Sequence, residues 1–404
     1  MSASAAAIER LKLKIDNAPE FDEDTAPGGP FADWPDGRID GYFEQAPPAV
    51  QWFARERLLA GRGHLLVGVG GSSKTRALYH LGVGAVLGRL PWEWTIETVG
   101  SAALFLTEDV AAQVHRTMHA LGGMLKPAER ALLVERLRVF PLAGKGARLL
   151  KLNGDALAES EVHGWMLRRL DALPKPLAFI GIDPALGVTE GDELNQAHQR
   201  RLGEMVDALA IRTGACAVLA AHAAKGIGSL PELQSHSARG AGALTDALRA
   251  EFTMRTMTAD EARRFGIKDL AERARHVQVA ATKGNDLPPE AFVPFWMRRG
   301  AGGFLEQVEL TPDEAGELDE RDDRALQVLV KYAASGDSSL EFWRKQCAAA
   351  GLLTTKSEQA QVKQMQRIAS KLVEAGHVVQ GRTRGLYRPH ERLLAAPATY
   401  PDAA

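Results

Sequence analysis

Cysteine is scarce in this chain: Cys216 and Cys347 are the two in 404 residues, far apart and with no CxxC pair or Cys/His cluster. Neither a zinc site nor a disulfide framework is indicated. Long apolar runs are missing too, so no segment is expected to cross a bilayer. The first eight residues, Met1–Ile8, are small and polar and lack the apolar stretch of a secretion signal, so a cytoplasmic protein is expected. Nor is there a surplus of positive charge: 49 Lys and Arg stand against 51 Asp and Glu, a formal net charge of -2. Any nucleic-acid contact must then come from local patches. No internal repeat and no primase or nuclease signature is visible.

What is present is an ordinary globular composition, 45% apolar and 25% charged. The length favours one large domain and a smaller one. Residues 1–44 read as an irregular arm, rich in Pro, Gly and Asp over Asn17–Asp40. From there to residue 310 apolar strands alternate with helices. The strands are His64–Val69, Ala102–Leu106, Leu137–Pro141, Leu177–Ile182 and Ala215–Ala221. Helical patterns lie between them at Ser73–Leu87, Val110–Leu121, Glu159–Leu173 and Glu193–Arg212. Such alternation predicts an α/β fold, a mostly parallel sheet with helices on both faces. After Gly242 the pattern changes. Arg249–Met257, His276–Ala281, Phe292–Met297 and Phe304–Leu310 read as further strands, the last two as antiparallel edges. A polar linker at 311–323 leads to a small domain at 324–392. Three helical patterns, Arg324–Ala334, Leu340–Ala350 and Glu358–Ala375, precede a β-ribbon at His377–Arg388, the outline of a winged helix. Residues 393–404 read as a frayed tail.

The strongest local signal is Gly68-Val69-Gly70-Gly71-Ser72-Ser73-Lys74-Thr75, after an apolar strand and before a helix. Phosphates need this arrangement: glycines turn backbone N–H groups inward, and the helix N-terminus adds a favourable dipole. Lys74 would neutralise phosphate charge, Thr75 would hold Mg²⁺ through its hydroxyl, and Arg76 lies beside them. Ser73 stands where glycine is usual, and a small residue able to take helical dihedrals is expected to serve there. The competing reading is a Gly-rich turn that happens to precede Lys-Thr. Asp183 ends the most apolar strand, where a carboxylate can order the water shell of Mg²⁺; a strand-end Asp is also a common turn former.

At these residues the chain resembles the RepA-type hexameric replicative DNA helicases of broad-host-range plasmids, within the wider RecA/DnaB/KaiC group. The resemblance runs from about Gln45 to Phe304. It rests on Pro47-Pro-Ala-Val-Gln-Trp52 leading to the phosphate loop, on Leu104-Phe-Leu-Thr-Glu108-Asp109, and on Ala220-Ala-His222-Ala-Ala-Lys225. Downstream, Ser237-Ala-Arg239 to Arg249 and Ala281-Thr-Lys283-Gly-Asn285 carry it further. The resemblance implies a RecA-like core that hydrolyses ATP with Mg²⁺. It places the catalytic glutamate at Glu108, a γ-phosphate sensor at His222, and cations that act on a neighbouring subunit's nucleotide at Arg249 and Lys283. Ala221 replaces the first His of the family's His-His pair. Without the resemblance, Glu108-Asp109 reads as a helix-start acid pair, His222 as a hydrogen-bonded strand-end histidine, and the cations as surface charge.

The segment Lys225–His236 follows the sensor strand and in RecA-like rings faces the central channel. Lys225 could track phosphates there, although no aromatic residue is present for base stacking. In the tail domain Lys363, Arg367 and Lys371 recur at helical spacing, and Arg382 and Arg384 sit in the ribbon. They read equally as a duplex-reading or protein-docking module or as a solvated helix face beside a small helical bundle. The partners implied are single-stranded DNA, further copies of the chain in a ring, and a replication initiator or primase, with no membrane. The function expected is a ring-forming DNA helicase of plasmid- or phage-type replication. The alternative is a RecA/KaiC-like regulator or loader, switched by nucleotide and bound to DNA, that does not unwind.

Overall fold

The computed structural model describes residues 39, 41–223, 242–311, 320–332, 337–355, 357–374, 377–380 and 385–390. Lys225, Arg239, Arg382 and Arg384 lie outside the described residues. The chain divides into two units, Met1–Val50 and Gln51–Ala404. In the first, the Gln45 N–H closes a turn on the Gly41 carbonyl at 2.9 Å.

In the second unit β1 (Trp52–Ala54) and β2 (Leu58–Leu59) form a short hairpin. β3 (Gly63–Gly68) runs through the phosphate loop into α1 (Lys74–Leu87), followed by β4 (Ser101–Leu106), α2 (Ala111–Gly122), α3 (Pro127–Arg136) and β5 (Leu137–Pro141). A second hairpin, β6 (Leu150–Asn153) with β7 (Ala156–Glu159), precedes α4 (Glu161–Asp171), β8 (Leu177–Asp183), α5 (Gln196–Thr213) and β9 (Cys216–His222). Then come α6 (Gly242–Ala247), β10 (Ala250–Thr256), α7 (Ala259–Arg264), α8 (Leu270–Arg275), β11 (His276–Gly284), β12 (Phe295–Arg299) and β13 (Leu305–Val308).

One nine-stranded sheet has the order β13-β12-β11-β10-β3-β9-β8-β4-β5. Pairing is parallel from β10 to β5 and antiparallel from β10 outward to β13. The expected mostly parallel sheet with antiparallel edge strands is therefore what forms. Strands buried on both faces must be apolar throughout, and every residue of β8 is buried. Alternate residues serve opposite faces. Leu66, Leu104 and Phe179 pack with Leu78 and Leu81 of α1 on one side. Leu65, Val67, Phe105 and Ile180 pack with Met166 of α4 and Met205 and Leu209 of α5 on the other.

The differences from the sequence reading are local. The two hairpins and α3 are additions, because strands of two to four residues such as Leu150–Asn153 are too short for their pattern to stand out. α5 begins at Gln196 and not Glu193, since the Asn195 side chain caps it by accepting from the N–H groups of Ala197 and His198. Likewise Ser160 caps α4, which leaves Glu159 as the end of β7.

In the C-terminal part, α9 (Glu320–Tyr332), β14 (Ser338–Ser339), α10 (Leu340–Ala349), α11 (Glu358–Glu374), β15 (Val378–Gln380) and β16 (Leu386–Pro389) share a separate core around Leu329, Trp343, Met365 and Leu372. The strands form an antiparallel sheet of order β14-β16-β15, one short strand more than the expected ribbon. Lys363 and Arg367 are exposed on α11. Lys371 instead bonds the buried Asp322 at 2.8 Å and so ties α11 to α9. No helix among the described residues is long and apolar enough to cross a membrane.

His80 fastens α1 to the antiparallel end of the sheet. Its buried ring lies between Trp92 and Phe304, and Nε2 accepts the Leu305 N–H at 2.9 Å. Burial, helped by the Arg76 charge, lowers its pKa from 6.5 to about 4. The unfolded chain therefore binds the extra proton first, and the stability this group contributes above pH 6.5 is lost as pH falls through about 4. Chemical denaturation followed across that range is expected to show falling stability. His80→Gln keeps an acceptor for Leu305 but removes the titration, so its stability should depend less on pH; an unchanged profile would remove His80 from the account.

Candidate functional site

Parallel pairing brings the C-terminal ends of β3, β9, β8 and β4 to one edge of the sheet. Gly68 pairs with His222, and Leu106 with Asp183. A cleft of about 520 Å³ opens there, lined by Gly70, Gly71, Lys74, Thr75, Glu108, Asp183 and His222. Sequence positions spread over more than 150 residues thus face one space, as the motif order implies.

Each part of the phosphate loop has its own constraint. A Cβ on Gly68 would meet the Ser72 Oγ at 2.3 Å and the Met254 carbonyl at 2.6 Å, so only glycine fits at the strand exit. Gly71 has φ 77°, in the left-handed region. Ser73 departs from expectation: it precedes α1 with φ 74° and ψ 23°, left-handed and not helical, and its side chain makes no capping bond. A serine there carries the strain that a glycine would avoid. The buried Lys74 ammonium donates to the Gly68 carbonyl at 2.7 Å and the Val69 carbonyl at 3.2 Å. Burial lowers its pKa against the opposing pull of Asp183 and Glu108.

The Thr75 hydroxyl donates to Asp183 Oδ2 at 2.5 Å. Burial raises the Asp183 pKa, opposed by that bond and by Lys74. A hydroxyl and a carboxylate side by side are hard oxygen donors, a set that suits Mg²⁺ together with water and phosphate. Glu108 is exposed to the cleft. Its neighbour Asp109 is half-buried, with its pKa raised by burial and by Asp183. His222 is half-buried, and the next residue, Ala223, donates its N–H to the Gly68 carbonyl at 3.1 Å, which locks the end of β9 to the loop. Arg76 reaches across to the Thr117 hydroxyl at 2.7 Å and lies over the Phe304 ring at 5.3 Å.

Arg249 and Lys283 are not in this cleft. The Arg249 N–H donates to the Gly63 carbonyl at 2.9 Å, at the N-terminal end of β3. The phosphate loop begins after Gly68, roughly 16 Å away at about 3.3 Å per residue. Lys283 lies beside it, its ammonium on the carbonyls of Thr245 at 2.5 Å and Leu248 at 3.0 Å. The sequence reading missed Arg299, the last residue of β12, which donates to the Gly71 carbonyl and lines the cleft. Tyr79, Asp109, Arg116 and Thr117 line it as well. No motif marks Arg299, because it stands 228 residues from Gly71.

The left-handed Ser73 yields a test. A non-glycine residue in that region costs about 1–2 kcal/mol, while glycine loses roughly 0.5–1 kcal/mol in chain entropy. Ser73→Gly is therefore expected to raise stability by up to about 1 kcal/mol in denaturant unfolding. A loss of stability would mean that the serine is held by something stronger than its strain.

Among known families, that of the AAA domain matches residues 31–227, a span that holds the phosphate loop, Glu108, Asp183 and His222. A solved structure of a KaiC-like protein from the hyperthermophilic archaeon Pyrococcus horikoshii is similar at 12% identity and a TM-score of 0.42, over 65% of this chain and 100% of that one. The match covers just under half of the chain and takes in the glycine-rich loop between β3 and α1 and the parallel strands whose ends line the cleft.

Proposed function

We propose that the chain hydrolyses ATP in this cleft and works as a ring-forming DNA helicase that moves on single-stranded DNA in plasmid- or phage-type replication. One observation carries the ring: Arg249 and Lys283 sit together at the sheet end opposite their own phosphate loop. With its backbone at the far end of β3, roughly 16 Å from its own loop by strand length, Arg249 would serve the nucleotide of a neighbouring copy rather than its own. A planar guanidinium suits the spread charge of a phosphoryl group in transfer.

In this mechanism the loop N–H groups and Lys74 hold the phosphates. Thr75 and Asp183 would hold Mg²⁺, which supplies charge neutralisation of the phosphates when bound. Glu108 orients the attacking water and accepts its proton. His222, at the end of the strand paired with β3, senses the γ-phosphate and passes the change to the segment that follows, where Lys225 would contact DNA. Exposed Lys363 and Arg367, with Arg382 and Arg384, would make the small C-terminal part from Glu320 onward a DNA-facing winged helix. The same part favours the second reading, a nucleotide-switched DNA-binding regulator or loader. Single-stranded-DNA-stimulated ATPase with strand displacement separates the two: the regulator binds DNA and nucleotide but displaces no strand.

Glu108→Gln should keep nucleotide binding and slow hydrolysis by about 10²- to 10⁴-fold. A large effect from Asp109→Asn with none from Glu108→Gln would move the base by one residue. The ring is tested by mixing. Lys74→Ala and Arg249→Ala proteins should each be nearly inactive, since a trans arginine is commonly worth about 10³ to 10⁵ in rate. Once labelled subunits are shown to exchange, the mixture should regain ATPase activity, because some interfaces then pair an intact Lys74 with an intact Arg249. Wild-type activity of Arg249→Ala alone would reject its assignment.

A further inference from the structure

We propose that Arg299 is a second phosphate ligand of the cleft, supplied by the same chain from the antiparallel end of the sheet, binding the phosphate chain of a nucleoside triphosphate beside Lys74. The inference rests on the reading of the cleft as an ATP site and adds a cation that no motif of the sequence marks.

The first observation is position. Arg299 ends β12, and its guanidinium reaches the Gly71 carbonyl in the phosphate loop. The second is the missing counter-charge. Half-buried, the side chain is bonded to a neutral carbonyl, and its Nε is buried with no partner among the described residues. Its neighbour on the same strand, Arg298, bonds Glu272 at 2.6 Å and lies 3.5 Å from Glu306. Other arginines drawn into this fold are also matched: Arg255 by Glu261 and Arg62 by Asp207. A cation withdrawn from water is normally paired. One left unpaired in a phosphate cleft, with free donors, is set up for an anion. Exchanging a neutral acceptor for a phosphate oxygen makes the bond charge-assisted, roughly twice as strong.

The third observation is the support behind it. The turn after Arg299 is closed by Gly303 N–H to the Gly300 carbonyl at 3.1 Å and by Gly300 N–H to the Phe304 carbonyl at 2.8 Å. Gly302 and Gly303 take left-handed φ values of 68° and 75°, which folds the turn tightly. Phe304 then lies under the Arg76 guanidinium, and the Leu305 N–H is held by His80 of α1. The arm that carries Arg299 is thus pinned to the helix that begins at Lys74. In this arrangement phosphate binding draws together the two halves of the sheet, the parallel strands and the β11–β13 extension.

The experiment uses the full chain without DNA and three variants, Arg299→Ala, Arg299→Gln and Arg299→Lys, each checked for wild-type circular dichroism. Binding of a fluorescent ATP analogue is measured by titration, and binding of adenosine, which has no phosphate, by ligand-observed NMR. Arg299→Ala and Arg299→Gln should bind the ATP analogue about 10- to 100-fold more weakly, as befits loss of a hydrogen bond to a charged group. Arg299→Lys should recover part of the loss, and adenosine should bind all four proteins alike. Gln keeps an N–H donor without the charge, so wild-type affinity in Arg299→Gln would show that the charge contributes nothing to phosphate binding and would overturn the proposal. So would equal weakening for ATP and adenosine. A wild-type chain that binds no ATP analogue would instead remove the nucleotide reading on which the inference stands.

Discussion

The register in which β3 pairs with its two neighbours governs the site. Parallel pairing without a slip sets Gly68 against His222 on one side and Met254 on the other. Because side chains alternate between faces, a slip of one residue would turn Leu65 and Leu66 to the wrong cores and misalign every strand end. Burial on both faces makes such a slip costly. The same pairing makes Gly68 irreplaceable, since the Met254 carbonyl and Ser72 leave no room for a Cβ. Strand pairing and phosphate loop are therefore one constraint seen at two scales.

Electrostatics at the cleft follows from that geometry. Asp183 and Asp109 are drawn partly out of water and resist ionisation, while Lys74 is disfavoured as a cation for the same reason. Lys74 and Arg299 both donate to loop carbonyls, so the loop holds two cations on neutral acceptors. Phosphate and Mg²⁺ would supply the charges that each half of the site lacks. Thr75 bonded to Asp183 links the loop to a strand two places away and holds the two oxygens together in advance.

At the opposite end of the sheet the pattern differs. The carboxylate of Glu251 is fully buried and accepts from Thr245 at 2.6 Å and Thr282 at 2.7 Å, which binds α6 to β10 and β11 next to Arg249 and Lys283. Lys283 adds bonds to the carbonyls at the end of α6. This network gives the chain around Arg249 and Lys283 a rigid base. It also joins the strand after Arg249 to the helix that follows residues 224–241.

The sequence by itself determined the phosphate loop, the alternating core and the antiparallel strands at its edge. These are contiguous patterns: a glycine-rich turn between strand and helix, and apolar runs at strand length. Asp183 could be picked out because it ends such a run, whereas the family resemblance, and not the local pattern, singled out Glu108 and His222. Hairpins of two- to four-residue strands, the caps at Ser160 and Asn195, and the left-handed conformation of Ser73 were not legible, since they depend on hydrogen bonds and a backbone path that composition does not encode. Tertiary structure alone decided that Lys371 is bound to Asp322, that Arg249 lies far from its own loop, and that Arg299 comes to Gly71. Charge type is written in the sequence; whether a charge meets a carboxylate, a carbonyl or open space is set by which strands are neighbours.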